Sequence, residues 1–295
     1  MRKRIVPFLV LPALVLAFAA LAPTAMNTFA AAPQHMPHFF RKAQVKQNAP
    51  QANNLVYHGG PVMNGTAKVY AIFWEPTGSH VQSGYNALLQ QYFGDINGSG
   101  LYHNNTQYKN SAGTYPSATG LAGSWVDTQS YRFNPLLDSN IQNEVRHAQA
   151  VNGWKSGIHN IFFVFLASGE NLCFDSSQSQ CASNYFCAYH SYFGSNTLYA
   201  AMPYAASFSC NPGSSPNHND ADQTINVSSH EQIEAATDPL LNAWYDNSGF
   251  EIGDKCAWKF GARNASGADV TWNGHGYIVQ KEWDNKKASC VLTGP

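Results

Sequence analysis

The chain has 295 residues, of which 44% are hydrophobic, 13% aromatic and only 12% charged. Seventeen bases against 18 acids leave a net charge of −1. Without a basic excess to neutralise phosphates, a dedicated nucleic-acid binder is excluded. The apolar content fills a core, which excludes a chain disordered along its whole length.

In chain order, Arg2, Lys3 and Arg4 form a basic start, and residues 5–22 are an apolar run broken by Pro7 and Pro12. Thr28-Phe29-Ala30 then supplies small residues at the −3 and −1 positions of a cleavage site. This pattern predicts a signal peptide over 1–30, hence a secreted protein with no membrane contact once the signal is removed. Residues 31–54 are polar and dotted with proline and predict a flexible leader. A single domain is expected over 55–295.

Within it, the apolar run 67–74 predicts a strand, and Tyr85, Leu88, Leu89, Tyr92 and Phe93 recur at helical spacing over 81–96. Residues 97–123, rich in Gly, Asn, Ser and Thr, predict a long loop, followed by a short strand at 124–131. A second helix is expected at 138–152, and buried strands at 159–167 and 198–204. A third helix is expected at 226–237, stopped by Pro239. A strand pair at 270–283 should turn at Asn273-Gly274. The order predicts an α/β fold of mixed α+β type: a mixed sheet covered by helices, with a loop-rich, disulfide-stapled C-terminal part. All six cysteines (Cys173, Cys181, Cys187, Cys210, Cys256 and Cys290) fall in the second half. An even number in an exported chain predicts full pairing, with at least one bridge tying the 173–210 segment.

The stretch that carries chemistry is Ser228-Ser229-His230-Glu231-Gln232-Ile233-Glu234, an H-E-x-x-E sequence. With 11 His and 7 Glu in the chain, random placement would give it about 0.006 times, so chance explains it poorly. On a helix, His230 and Glu234 project from one face and can bind one divalent cation. Glu231 sits beside them as a general base for a metal-bound water, the arrangement of zincin-type metallohydrolases. A third ligand must come from elsewhere: Glu251 and Asp254 follow in an acid-rich stretch that includes Asp238 and Asp246, and His190 is a further candidate. Zinc is the expected cofactor through His230, while the carboxylates also admit calcium. Tyr245 and His275 are candidates for steadying an oxyanion.

Several short pieces occur in a specific order: Tyr57-His58-Gly59-Gly60-Pro61-Val62, Phe186-Cys187 with His190, His230-Glu231, Asn242-Ala243-Trp244-Tyr245, Glu251 with Asp254 and Cys256, and Trp283 to Cys290. In these the chain resembles the EXORDIUM-like, phosphate-induced protein family of plant cell walls and secreted bacterial relatives. The resemblance covers most of residues 57–290 and implies an extracellular or cell-wall location. Plant members typically read H-E-L-A-G, with Gly where this chain has Glu234. That departure makes Glu234 either a ligand particular to bacterial-type members or secondary to His190, His230 and Asp254. Two functions are therefore expected. One is a secreted, monomeric, peptidase-like metallohydrolase. The other is a non-catalytic extracellular protein that binds a peptide or cell-wall polymer, with a structural ion.

Overall fold

The computed structural model describes residues 37–44 and 53–295. The expected signal peptide lies outside the described residues. Hydrophobic alternation builds one six-stranded sheet: β1 (Phe39–Arg41), β2 (Gly65–Trp74), β3 (Pro116–Asp127), β4 (Asn160–Leu166), β5 (Phe186–Phe193) and β6 (Thr197–Met202). Its spatial order is β1-β5-β6-β4-β2-β3. The four strands β6, β4, β2 and β3 run parallel, whereas β5 is antiparallel to β6 and β1 antiparallel to β5.

Side-chain parity assigns the two faces. Val69, Ala71, Phe73, Phe163, Phe165, Ala200 and Met202 pack with helices α1 (Tyr85–Asp95) and α3 (Ala221–Thr237) on one face. Ile72, Trp74, Phe162, Val164, Tyr199 and Ala201 pack on the other face with α2 (Asp138–Asn152). Because both faces are covered, β4 and β6 are buried along nearly their whole length and read as continuous apolar runs. Among the described residues no helix is long and apolar enough to cross a membrane.

The mixed sheet and the helices over 81–96, 138–152 and 226–237 form as expected, the last starting earlier, at Ala221. Two elements differ. The region read as a loop up to 123 contains most of β3, an edge strand whose outer residues remain exposed, so its composition is polar. Residues 39–41, inside the stretch read as a flexible leader, are ordered as β1. Phe40 is fully buried there, and Lys42 Nζ donates to the carbonyl of Phe208 at 2.7 Å.

All six cysteines are paired, as Cys173–Cys181, Cys187–Cys210 and Cys256–Cys290. The first two lie in the 173–210 segment, and the third closes the C-terminal part, which holds the hairpins Val270–Trp272/His275–Tyr277 and Glu282–Asp284/Ser289–Val291. The first hairpin turns at Asn273 (φ 49°) and Gly274 (φ 87°), the pair of left-handed residues that a two-residue hairpin requires.

Candidate metal centre

Of the 17 residues of α3, all but Gln223 are buried. A helix enclosed on every side is ordinarily apolar, yet this one carries Asn226, Ser228, Ser229, His230, Glu231, Gln232 and Glu234. Its polar residues therefore need partners inside the protein. The sheet brings up His190 from β5, on the face opposite Tyr189. The segment after α3 folds back to bring Glu251 and Asp254. That return is close: a Cβ on Gly253 would lie 2.6 Å from His230 Nδ1 and 3.0 Å from Glu234 Oε1, so only glycine fits.

His230 Nε2 lies 3.1 Å from Glu234 Oε2 and 3.9 Å from Asp254 Oδ1. His190 Nδ1 lies 3.2 Å from Glu231 Oε2 and 3.8 Å from Glu234 Oε2. Two sets of three donors thus share Glu234, with the atoms of each set within 4.8 Å of one another: His230, Glu234 and Asp254, and His190, Glu231 and Glu234. His38, on the chain entering β1, reaches Asp254 Oδ2 at 3.5 Å and forms a third set with Glu251 and Asp254. His230 Nε2, Glu234 Oε2, Glu231 Oε1 and both oxygens of Glu251 are buried without a hydrogen-bond partner. His230 and Glu234 face a common point without bonding each other, as ligands do.

Hydrogen bonds set the ring tautomers. His190 Nε2 faces the carbonyl of Asp238 at 3.3 Å; donating there leaves the Nδ1 lone pair directed at Glu231 and Glu234. The Gln280 side-chain amide donates to the Gly253 carbonyl at 2.9 Å and lies 3.0 Å from His230 Nδ1. A neutral His230 then carries its proton on Nε2. The His190 set therefore has its lone pair ready for a cation, and the His230 set does not.

Burial raises the Glu231 carboxyl to about 8 and pushes Glu234, Glu251 and Glu282 well above the usual carboxylate range; neighbouring carboxylates add to the rise in Glu234 and Glu251. Burial lowers His190 to about 4. Within this cluster only Asp254 is held below its ordinary carboxylate value: burial opposes ionisation, but the hydrogen bond and charge of His38 and the charge of His230 outweigh it. A cluster this rich in carboxyl groups takes up either protons or a cation.

The structure brings together His190, His230, Glu231, Glu234, Glu251 and Asp254. It does not bring His275 there: that residue is exposed in the first C-terminal hairpin and bonds Asp95 at 2.6 Å. Tyr245 stays at the margin, stacked on His58 at 3.7 Å, where burial and then the Asp238 charge raise its phenol. Asp238 caps the turn after α3, its carboxylate accepting from the backbone N–H groups of Asn242 (2.6 Å) and Ala243 (2.7 Å). Sequence reasoning missed His38, Phe40 and Gln280. Gln280 carries no motif. His38 and Phe40 stood in a polar segment whose only signal was the adjacent pair Phe39-Phe40.

Two curated Arabidopsis thaliana proteins match most of the chain. Protein EXORDIUM-like 5 is 24% identical over 290 residues, covering 83% of this chain and 79% of that protein. Protein EXORDIUM-like 3 is 26% identical over 297 residues, covering 83% and 85%. The chain is thus similar to EXORDIUM-like proteins over most of its length. No family profile and no solved structure matches it. The names of these EXORDIUM-like relatives carry no reaction.

Proposed function

We propose that the chain is an exported, metal-dependent hydrolase acting on extended peptides, with one divalent cation seated on Glu234. The observation that carries this reading is the set of buried donor atoms that converge on Glu234 with no protein partner to satisfy them. One imidazole nitrogen with carboxylate oxygens suits zinc, with calcium a weaker fit. His190, Glu231 and Glu234 form the favoured ligand set, since His190 donates its second nitrogen to a backbone carbonyl in the manner of metal-bound histidines. Glu251 then remains beside the ion to take a proton from water. If His230, Glu234 and Asp254 hold the cation instead, Glu231 takes that role. The ion's contribution is to acidify a bound water.

A peptide lane supports hydrolysis. β1 pairs antiparallel with β5, the strand that carries His190, with Phe39 opposite Tyr189 and Phe40 opposite Ala188. The Phe40 ring lies flat on the His230 imidazole at 4.1 Å and on Trp258 at 4.7 Å. The chain's own segment thus crosses the centre as an added strand, the way sheet edges bind extended peptides. Three disulfides fit an oxidising compartment and hence export.

A second reading, a structural ion in a non-catalytic wall or peptide binder, is favoured by burial: His190, His230, Glu231, Glu234 and Glu251 are all at 0–1% exposure. One experiment separates the two. The protein, with and without a Phe40→Ala change that opens the lane, is assayed for zinc content and for cleavage of a fluorogenic peptide library. Hydrolysis that falls by about 10²–10⁴ in Glu251→Gln or Glu231→Gln, with zinc retained, supports the hydrolase. Retained zinc with no cleavage by any form supports the structural ion.

A further inference from the structure

A second group of metal-ligating side chains lies on the opposite face of the sheet. Asp127 ends β3, and Glu144 and His147 sit three apart on α2, so one turn of helix presents both toward the end of the strand. His147 Nδ1 is 3.1 Å from Asp127 Oδ2 and 3.8 Å from Glu144 Oε2. The three donor atoms all lie within 4.8 Å of one another, the spacing of three ligands around one ion. Asp127 is 3% and Glu144 5% exposed.

Glu144 Oε1 is sealed from solvent and has no hydrogen-bond partner. Its carboxyl also lies within hydrogen-bonding reach of Asp127. Two acceptor-only carboxylates placed side by side need a proton or a cation between them. A single imidazole, itself about one-third exposed, does not balance both. Asp127 Oδ1 is already used, accepting from the Gln129 backbone N–H at 2.9 Å, which leaves Oδ2 for the shared point.

The geometry points to a second divalent-cation site formed by Asp127 Oδ2, Glu144 Oε2 and His147 Nδ1, with its open side facing a cleft on the α2 surface. One imidazole and two carboxylates suit a first-row ion such as zinc or manganese better than calcium. Ligation through Nδ1 requires His147 to carry its proton on Nε2. That nitrogen faces the side-chain amide of Gln129 at 3.2 Å. Gln129 is exposed, so its amide can turn to present the carbonyl oxygen to Nε2–H. Nothing comparable frees Gln280 in the first cluster, where both amide contacts are buried. The cleft has a volume of about 330 Å³ and is walled by Trp74, Arg132, Phe133 and Asn143 beside Glu144 and His147.

The test isolates this site from the first. Zinc and manganese binding to the full exported chain carrying Glu234→Gln, which removes the shared ligand of the first cluster, is measured by titration calorimetry. One equivalent is expected to bind. Adding His147→Ala should weaken it by about 100-fold or more, and adding Glu144→Gln should weaken it as well. His147 is about one-third exposed, so its removal should leave the melting temperature nearly unchanged, which checks folding. No binding to the Glu234→Gln chain, or binding indifferent to both further changes, would overturn the proposal. If the unmodified chain binds one equivalent that Glu234→Gln abolishes, the first centre stands and this one fails. If binding survives Glu234→Gln and is lost with His147→Ala, the second site stands whatever becomes of the first.

Discussion

The two histidine–carboxylate clusters lie on opposite faces of one sheet and differ in enclosure. The Glu234 cluster is closed: α3 passes through the core, β1 covers it, and Phe40 is stacked on His230. The Asp127 cluster opens to a cleft, with His147 about one-third exposed. Closure raises the cost of every uncompensated carboxylate, which is why the buried group carries the larger pKa shifts and the greater dependence on a counter-charge. Openness leaves room for water and exchange. On the proposed reading, the first cluster would hold its ion tightly and the second a weaker, exchangeable one.

The largest expected effect comes from Glu234→Gln. It should abolish tight cation binding at the closed cluster, read as loss of stoichiometric zinc in metal analysis. In chelated protein the same change should leave the fold at least as stable, because a neutral amide of the same size replaces a buried carboxyl that must otherwise be kept protonated. Destabilisation of the chelated protein by Glu234→Gln would break the comparison.

Next in size is a pH effect. Burial raises the folded pKa of Glu231 from 4.5 to about 8, and burial with neighbouring carboxylates raises those of Glu234 and Glu251 well above the usual carboxylate range. Raised carboxyls contribute stability that is fully present below about 4.5 and lost as pH rises through the folded value. The melting temperature of chelated protein should therefore fall between pH 5 and pH 8, measured by scanning calorimetry, and added zinc should reverse the slope. A melting temperature that rises over this window in chelator would contradict the protonated, metal-free cluster.

A smaller effect is expected at the cover. Phe40→Ala removes a fully buried ring and should cost about 3 kcal/mol in denaturant unfolding. It should also speed zinc loss to chelator. Unchanged release would mean that β1 does not close the centre.

The smallest effect lies outside both clusters. Burial opposes ionisation of Asp95, but hydrogen bonds from Tyr277, Asn273 and His275 and the charge of His275 together outweigh it and hold the carboxyl below its usual range. Its contribution is present at neutral pH and lost as pH falls through the folded value. Asp95→Asn should cost about 1 kcal/mol at pH 7 and less in acid. His275→Ala should leave zinc content and peptide cleavage unchanged.

The periodic parts of the molecule were legible in the sequence. The 138–152 helix and the buried strands stand out because their packing faces impose a regular apolar repeat. H-E-x-x-E was legible as chemistry because helix geometry alone aligns His230 with Glu234. Three features were not. β3 is an edge strand, and its half-exposed composition resembles a loop. β1 is three residues long and gains its order from β5 and from Phe40 against His230, contacts that no local pattern encodes. The Asp127 cluster joins a strand end to helix residues 17 and 20 positions later, so its members share no motif. The tie of His275 to Asp95 was not legible either, because the two are 180 residues apart and a histidine beside Asn-Gly reads as a free turn residue.

The central claim, that a divalent cation sits on Glu234, is tested most directly by a crystal structure of protein purified without chelator, with anomalous data collected on both sides of the zinc edge. The account predicts an anomalous peak about 2.0–2.2 Å from Glu234 Oε2 and from His190 Nδ1, with Glu231 as a further ligand. A clean map in zinc-supplemented crystals, with Glu234 and Glu231 in their present positions and no peak between them, would contradict it.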